Sequence, residues 1–218
     1  MPPVRIYRWP RGAPFTFARG GPAVALVILE EWWPLPAAAG ALWAARLLPL
    51  AAVAAATTLV FMIAAEEYAH LAAVARLCPE ARLALTVRPP LRVRAQAAAT
   101  LDPDATAAAA LAGPLAALAA GLLIVFVPLG AVALLRRGPR LSYAAGALPL
   151  LPPLYVLFSA VPLPGSDAAA VLSALRPGGA ARQVLEPAPA FGVSLRRFAG
   201  CVRRAAALVA AAFALRSP

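Results

Sequence analysis

Residues 47–77 read LLPLAAVAAATTLVFMIAAEEYAHLAAVARL, an apolar run that passes into two adjacent carboxylates, Glu66 and Glu67, and the single histidine of the chain, His70. From about Leu47 to Ala65 the run is long enough for a helix to cross the hydrocarbon of a bilayer. After Pro49, no Pro or Gly interrupts it before Leu77. Ionisable groups at the end of such a helix are costly to bury alone, so they call for a partner, water or a cation.

The whole chain agrees with a bilayer setting. It is 62% hydrophobic and 13% charged, with a mean hydropathy of +0.78, a composition that reads as an integral membrane protein. The formal charge of +11 is carried by arginine alone, because lysine is absent, and alanine makes up the apolar bulk. A GC-rich genome accounts for both biases. The arginines stand singly or in pairs beside apolar runs, which suits anchoring at lipid headgroups rather than a basic face for nucleic acid. The expected partner is therefore the lipid bilayer, with no nucleic acid, and the expected location is a bacterial cell membrane.

Orientation does not follow from the charges. Arg5, Arg8, Arg11, Arg19, Arg136, Arg137 and Arg140 flank one side, while Arg76, Arg82, Arg88, Arg92 and Arg94 flank the other. Cys78 and Cys201 lack metal-ligand or redox spacing and read as free thiols near helix ends. The N-terminus lacks the compact apolar core and cleavage site of a signal peptide.

Outward from the opening stretch, PAVALVILEEWWPLP (22–36) is too short to span, and its carboxylates and indoles suit an interface. Arg46 and Pro49 mark a break before the first spanning helix. In ARLALTVRPPLRVRAQA (81–97), Leu83, Leu85 and Val87 alternate with other residues, as do Leu91, Val93 and Ala95 with Arg92, Arg94 and Gln96. This period of two reads as a small hairpin or two edge strands; the alternative is a solvated basic loop, since Pro-Pro is a poor hairpin turn.

The segment 101–135 opens with the capping residues Asp102 and Asp104 and then reads as a long spanning helix from about Thr106 to Leu135, in which Gly113, Pro114 and Gly121 allow close contact or a kink. A further span is expected from about Leu141 to Val161, interrupted by Pro149, Pro152 and Pro153. The last apolar stretch (198–215) is split by Arg203 and Arg204 and reads as an amphipathic or partly inserted helix. The expected fold is thus an all-α integral membrane bundle of about three to five transmembrane helices, with a small β-hairpin between the first two core helices. Its organisation reads as an irregular or interfacial segment (1–36), a membrane-embedded core (37–178) and a C-terminal segment (179–218).

On a helix, Glu66 and His70 are four residues apart and share one face, with Glu67 offset by roughly 100 degrees. That is the frame of the zinc motif His-Glu-x-x-His, with a carboxylate in the first ligand position. An interfacial Glu–His pair without further role is the alternative. Asp167, after PLPGS, is a natural helix N-cap. Tyr68 and Tyr155 lie where they could reach the same cavity.

The order EEYAHLAAV (66–74), a short extended basic region, LAGPLAALAAGLL (111–123) and PLPGSDAAAVLSAL (162–175) resembles the site-2 protease family of intramembrane zinc metalloproteases, over about residues 47 to 178. The resemblance implies that Glu66 stands at the first zinc-ligating position, Glu67 at the general base, His70 at the second ligand and Asp167 at the third. Three departures accompany it: Glu66 replaces His, Ser166 and Ala168 bracket the Asp in place of the family's residues, and Ala117 stands where many relatives have Asn. It implies a zinc-dependent peptidase acting on a transmembrane protein substrate in or near the bilayer. The competing expectation is an inactive pseudoprotease that keeps the fold to bind a membrane partner. An unrelated structural or transport protein is a third reading, although no internal repeat supports transport.

Overall fold

The computed structural model describes residues 4–10, 13–47, 50–88, 92–135, 148–163, 166–175 and 195–214. Among them are seven α-helices and three strands. Strand β1 (Arg5–Arg8) precedes helices α1 (Phe17–Trp32), α2 (Pro34–Ala44) and α3 (Leu50–Leu77). Strands β2 (Arg82–Arg88) and β3 (Arg92–Ala98) then lead to α4 (Pro103–Leu135). A 3-10 turn (Leu148–Leu150), α5 (Leu151–Ser159), α6 (Asp167–Leu175) and α7 (Leu195–Phe213) complete the chain.

The break expected at Arg46 is present and has a clear local cause. Arg46 N–H bonds the Trp43 carbonyl at 2.8 Å and Leu47 N–H bonds the Leu42 carbonyl at 2.9 Å. This is the Schellman pattern, which needs a left-handed residue at the turn. Arg46 supplies it at φ 60, a conformation that favours glycine.

Helices α3 and α4 form the centre of the fold, and small residues let them approach closely. Ala65 and Ala69 pack against Ala116, and Ala73 packs against Ala109 and Ala112. Such a stripe, repeating every four residues on α3, brings two backbones together without large side chains between them. Gly121 sits at a second close point, where a Cβ would come within 2.7 Å of Met62 Sδ and 2.8 Å of Pro152 Cγ. That contact seats α5 against the pair.

The hairpin expected from the alternating segment is formed: β2 and β3 pair antiparallel from Arg82↔Ala98 to Arg88↔Arg92. Leu83, Leu85 and Val87 are buried toward the helices, as the period of two requires. Residues 89–91 at the turn lie outside the described residues. The sheet gains a third strand from the N-terminal segment, which sequence alone reads as irregular. Strand β1 pairs antiparallel with β2, Arg5 opposite Val87 and Arg8 opposite Ala84, giving the order β1-β2-β3.

The same N-terminal segment contains helix α1, so "irregular" is corrected there too. Glu30 and Glu31, expected at an interface, are held by Arg5, whose guanidinium reaches Glu30 at 2.5 Å and Glu31 at 3.0 Å. The β1–α1 arrangement brings these opposite charges together. Trp9, Phe15, Phe17, Tyr68 and Phe213 form an aromatic cluster that ties the N-terminal segment, α3 and α7 together. Helix α7 is amphipathic as expected, with Cys201, Ala205 and Ala212 buried and Arg203 and Arg204 exposed. Arg197 on α7 pairs with Asp104 at 2.6 Å. Asp102, not Asp104, caps α4, its carboxylate accepting the Ala105 N–H at 2.7 Å.

Two helices among the described residues are long and apolar enough to cross a membrane, within Ala51–Leu77 and Pro103–Val125. The span expected from about Leu141 to Val161 lies partly outside the described residues. Its described part is the 3-10 turn and the nine residues of α5, about 14 Å of α-helix at 1.5 Å per residue, which does not cross by itself.

Candidate metal centre

One face of α3 presents Glu66 and His70 a turn apart, as their spacing requires. Glu66 is buried, at 8% exposure. The His70 ring lies directly over Gly113 of α4, where a Cβ would fall 2.1 Å from Nε2 and 2.4 Å from Cε1. No side chain fits between them. Glycine at 113 is therefore a condition for the position of the histidine, in addition to helping the helices approach.

The two ring nitrogens of His70 have different partners. Nδ1 is 3.0 Å from the Ala109 carbonyl oxygen; a carbonyl only accepts, so Nδ1 carries a proton and donates. Nε2 faces Oδ2 of Asp167 at 3.2 Å. With Nδ1–H committed, a bare Nε2 lone pair against an ionised carboxylate would be repulsive. A proton shared by the pair, or a metal ion bound by both, removes that repulsion. An N–H donated to a backbone carbonyl is also the usual way a ligating histidine is oriented.

Asp167 comes from the first position of α6, and its freedom depends on its neighbour. Ser166, not Asp167, caps the helix: its Oγ accepts the Ala169 N–H at 3.2 Å. The capping role expected of Asp167 is thus taken by a hydroxyl, and the carboxylate turns to His70. Glu66, His70 and Asp167 each offer a ligand atom within 4.8 Å of the others. Donors around a tetrahedral ion at about 2.1 Å stand about 3.4 Å apart, so modest closing brings the three onto one ion. One imidazole nitrogen and two carboxylate oxygens are legitimate donors for zinc and for harder divalent cations. The residues fit such an ion.

Glu67 lies beside this group rather than in it. Its Oε2 accepts the backbone N–H of Ala95 on β3. Strand β3 pairs with β2 on one side, and the Ala95 N–H points to the other. By the alternation of an antiparallel strand, the N–H and C=O groups of Val93 and Ala97 point the same way. That free edge, the four candidate residues and Tyr155 line a cavity of about 770 Å³. The His70 and Asp167 side chains keep 16% and 27% exposure, so water reaches them.

Of the two tyrosines, the structure separates the roles. Tyr155 on α5 lines the cavity, and its hydroxyl donates to Oε2 of Glu66. Tyr68 points away: its hydroxyl donates to the Ala212 carbonyl at 2.8 Å inside the aromatic cluster. Ala117 is fully buried and adds nothing to the cavity. The parts missed by sequence reasoning are the free edge of β3 and the Tyr155–Glu66 contact. The period-two pattern pointed to the strand without its neighbours, and Tyr155 was a candidate for the cavity together with Tyr68 but with no spacing to Glu66 that names the partner. No family model, curated protein or solved structure matches this chain.

Proposed function

We propose that the protein is a membrane-embedded metallopeptidase of site-2 protease type that cleaves peptide bonds in or near membrane segments. The observation that carries this reading is that Glu66, His70 and Asp167, from two helices, each place a ligand atom within 4.8 Å of the others, with Glu67 on the same cavity. A bilayer setting is supported by the two long apolar helices and by exposed Phe61, Leu123, Leu154, Leu157 and Phe158, which a lipid exterior accommodates. Helix α3, with 28 residues, extends about 42 Å, more than the roughly 30 Å of hydrocarbon. The ligand positions lie in its C-terminal half, where water can enter through the cavity.

In this reading Glu66, His70 and Asp167 hold a divalent cation, zinc in the first instance. An ion held there would supply Lewis acidity toward a peptide carbonyl and a water. Glu67 takes the proton of the attacking water and returns it to the leaving amine. His70 is fixed in its tautomer by the Ala109 carbonyl. The outward backbone groups of Val93 and Ala97 on β3, on either side of the Ala95 N–H that Glu67 already accepts, offer an extended peptide backbone partners beside Glu67. Two carboxylate ligands lower the charge of the site relative to a two-histidine set, so weaker acidification of the bound water is expected.

The second reading is a pseudoprotease that keeps the cavity to bind a membrane partner. It is favoured by the ties of both glutamates to protein groups, Glu66 to Tyr155 and Glu67 to Ala95. A test separates the two. The protein is reconstituted in liposomes with a fluorescence-quenched transmembrane peptide, and cleavage is followed for wild type and Glu67→Gln. Hydrolysis lost by at least a hundredfold in Glu67→Gln supports the peptidase; no hydrolysis by wild type supports the pseudoprotease.

A further inference from the structure

We infer that Tyr155 is a positioning residue that fits Glu66 for the first ligand position; this inference rests on the metal-binding reading above. A histidine there would present a stiff ring with one nitrogen directed at the ion. Glutamate has three side-chain torsions and two equivalent oxygens, so a carboxylate at position 66 needs something to fix it. In this fold that something arrives from α5, 89 positions further along the chain.

The geometry of the contact suits the task. An ionised carboxylate only accepts hydrogen bonds, and the phenol is the donor. The Tyr155 hydroxyl engages Oε2 of Glu66, while the same carboxyl lies within hydrogen-bonding reach of Asp167, so the phenol holds it on the side where the two carboxyls meet. Glu66 is buried and Tyr155 is half-buried, so neither group is surrounded by bulk water that would compete for the bond. The phenol also draws charge from Glu66, which reduces its repulsion with Asp167 across the site. Hydrogen-bonded support of a ligating carboxylate commonly matters 10–100-fold in metal affinity.

The support for Tyr155 is itself local. Pro152, one turn before it on α5, is buried against Gly121 of α4. The helix that carries the phenol is thereby seated on the same α4 whose Gly113 admits the His70 ring. A tyrosine present only for packing would leave its hydroxyl without consequence for a cation.

The test is a double-mutant cycle on the full chain purified in detergent. Zn²⁺ affinity is measured by competition with a chromophoric chelator for wild type, Tyr155→Phe, Glu66→His and the double variant. Tyr155→Phe is expected to weaken Zn²⁺ about 10–100-fold in the wild-type background and to change it less than about threefold when residue 66 is histidine. Unchanged affinity in Tyr155→Phe would overturn the positioning role while leaving the metal site standing. Equal losses in both backgrounds would overturn it in favour of a structural tyrosine. Zn²⁺ bound only by the two proteins with Glu66→His would remove Glu66 as a ligand, and with it both the site and the role of Tyr155. No binding by any of the four would end the metal reading itself.

Discussion

A Cβ on Gly113 would lie 2.1 Å from Nε2 of His70, so the one histidine of the chain holds its place only because α4 has no side chain there. Gly113→Ala is expected to push the imidazole off the line between Ala109 and Asp167. The cost of such overpacking is typically about 1–3 kcal/mol, and Zn²⁺ affinity should fall at least tenfold. Thermal unfolding and chelator competition on the same samples measure the two effects; a variant with unchanged affinity would show that His70 is not a ligand in this position.

The tautomer of His70 leads to a linkage. With Nδ1–H given to the Ala109 carbonyl at 3.0 Å, the metal and a proton compete for Nε2. Metal binding is therefore expected to release protons and to weaken as the solution is acidified. Calorimetry in two buffers of different ionisation enthalpy reads the number released, and a value of zero would mean that the ion does not bind at Nε2.

The Ala95 N–H at the open edge of β3 has Glu67 as its acceptor, although an edge strand ordinarily leaves such a group to solvent. Its hydrogen exchange should be slowed in wild type, remain slowed in Glu67→Gln, whose amide oxygen still accepts, and accelerate in Glu67→Ala. Fast exchange in the wild type would dissociate Glu67 from the strand.

These features differ in how openly the sequence displayed them. Glu66, Glu67 and His70 were legible because helical spacing alone gathers them on neighbouring faces, and Arg46 because a charge and a following proline interrupt an apolar run. The β2–β3 hairpin was legible through Leu83, Leu85 and Val87, which alternate as a half-buried strand must. Strand β1 was not: four residues, Arg-Ile-Tyr-Arg, carry too little periodicity, and they are stabilised by pairing with a strand far along the chain, Arg5 opposite Val87 and Arg8 opposite Ala84. Asp167 was legible as a helix start but ambiguous between cap and ligand, since the deciding contact is the Ser166 hydroxyl on Ala169. Tyr155 was legible only as one of two tyrosines able to reach the cavity, because the choice between it and Tyr68 depends on tertiary contacts, to Glu66 for one and to the Ala212 carbonyl for the other.

Arg46 offers a test of the fold apart from the site. Its left-handed conformation at φ 60 costs an L-residue roughly 1–2 kcal/mol, part of which glycine returns through its greater freedom in the unfolded chain. Arg46→Gly is expected to stabilise the protein by about 0.5–1 kcal/mol, seen as a higher thermal midpoint in detergent. A lower midpoint would mean that the arginine side chain contributes more than its backbone conformation costs.

The most direct measurement of the central claim is the metal content of the purified chain, determined by elemental analysis for wild type, His70→Ala and Asp167→Ala. Near-stoichiometric zinc or another divalent metal in the wild type, lost in both variants, is the result expected if Glu66, His70 and Asp167 form one site. Equal metal in all three proteins, or none in the wild type after incubation with excess Zn²⁺, would contradict it.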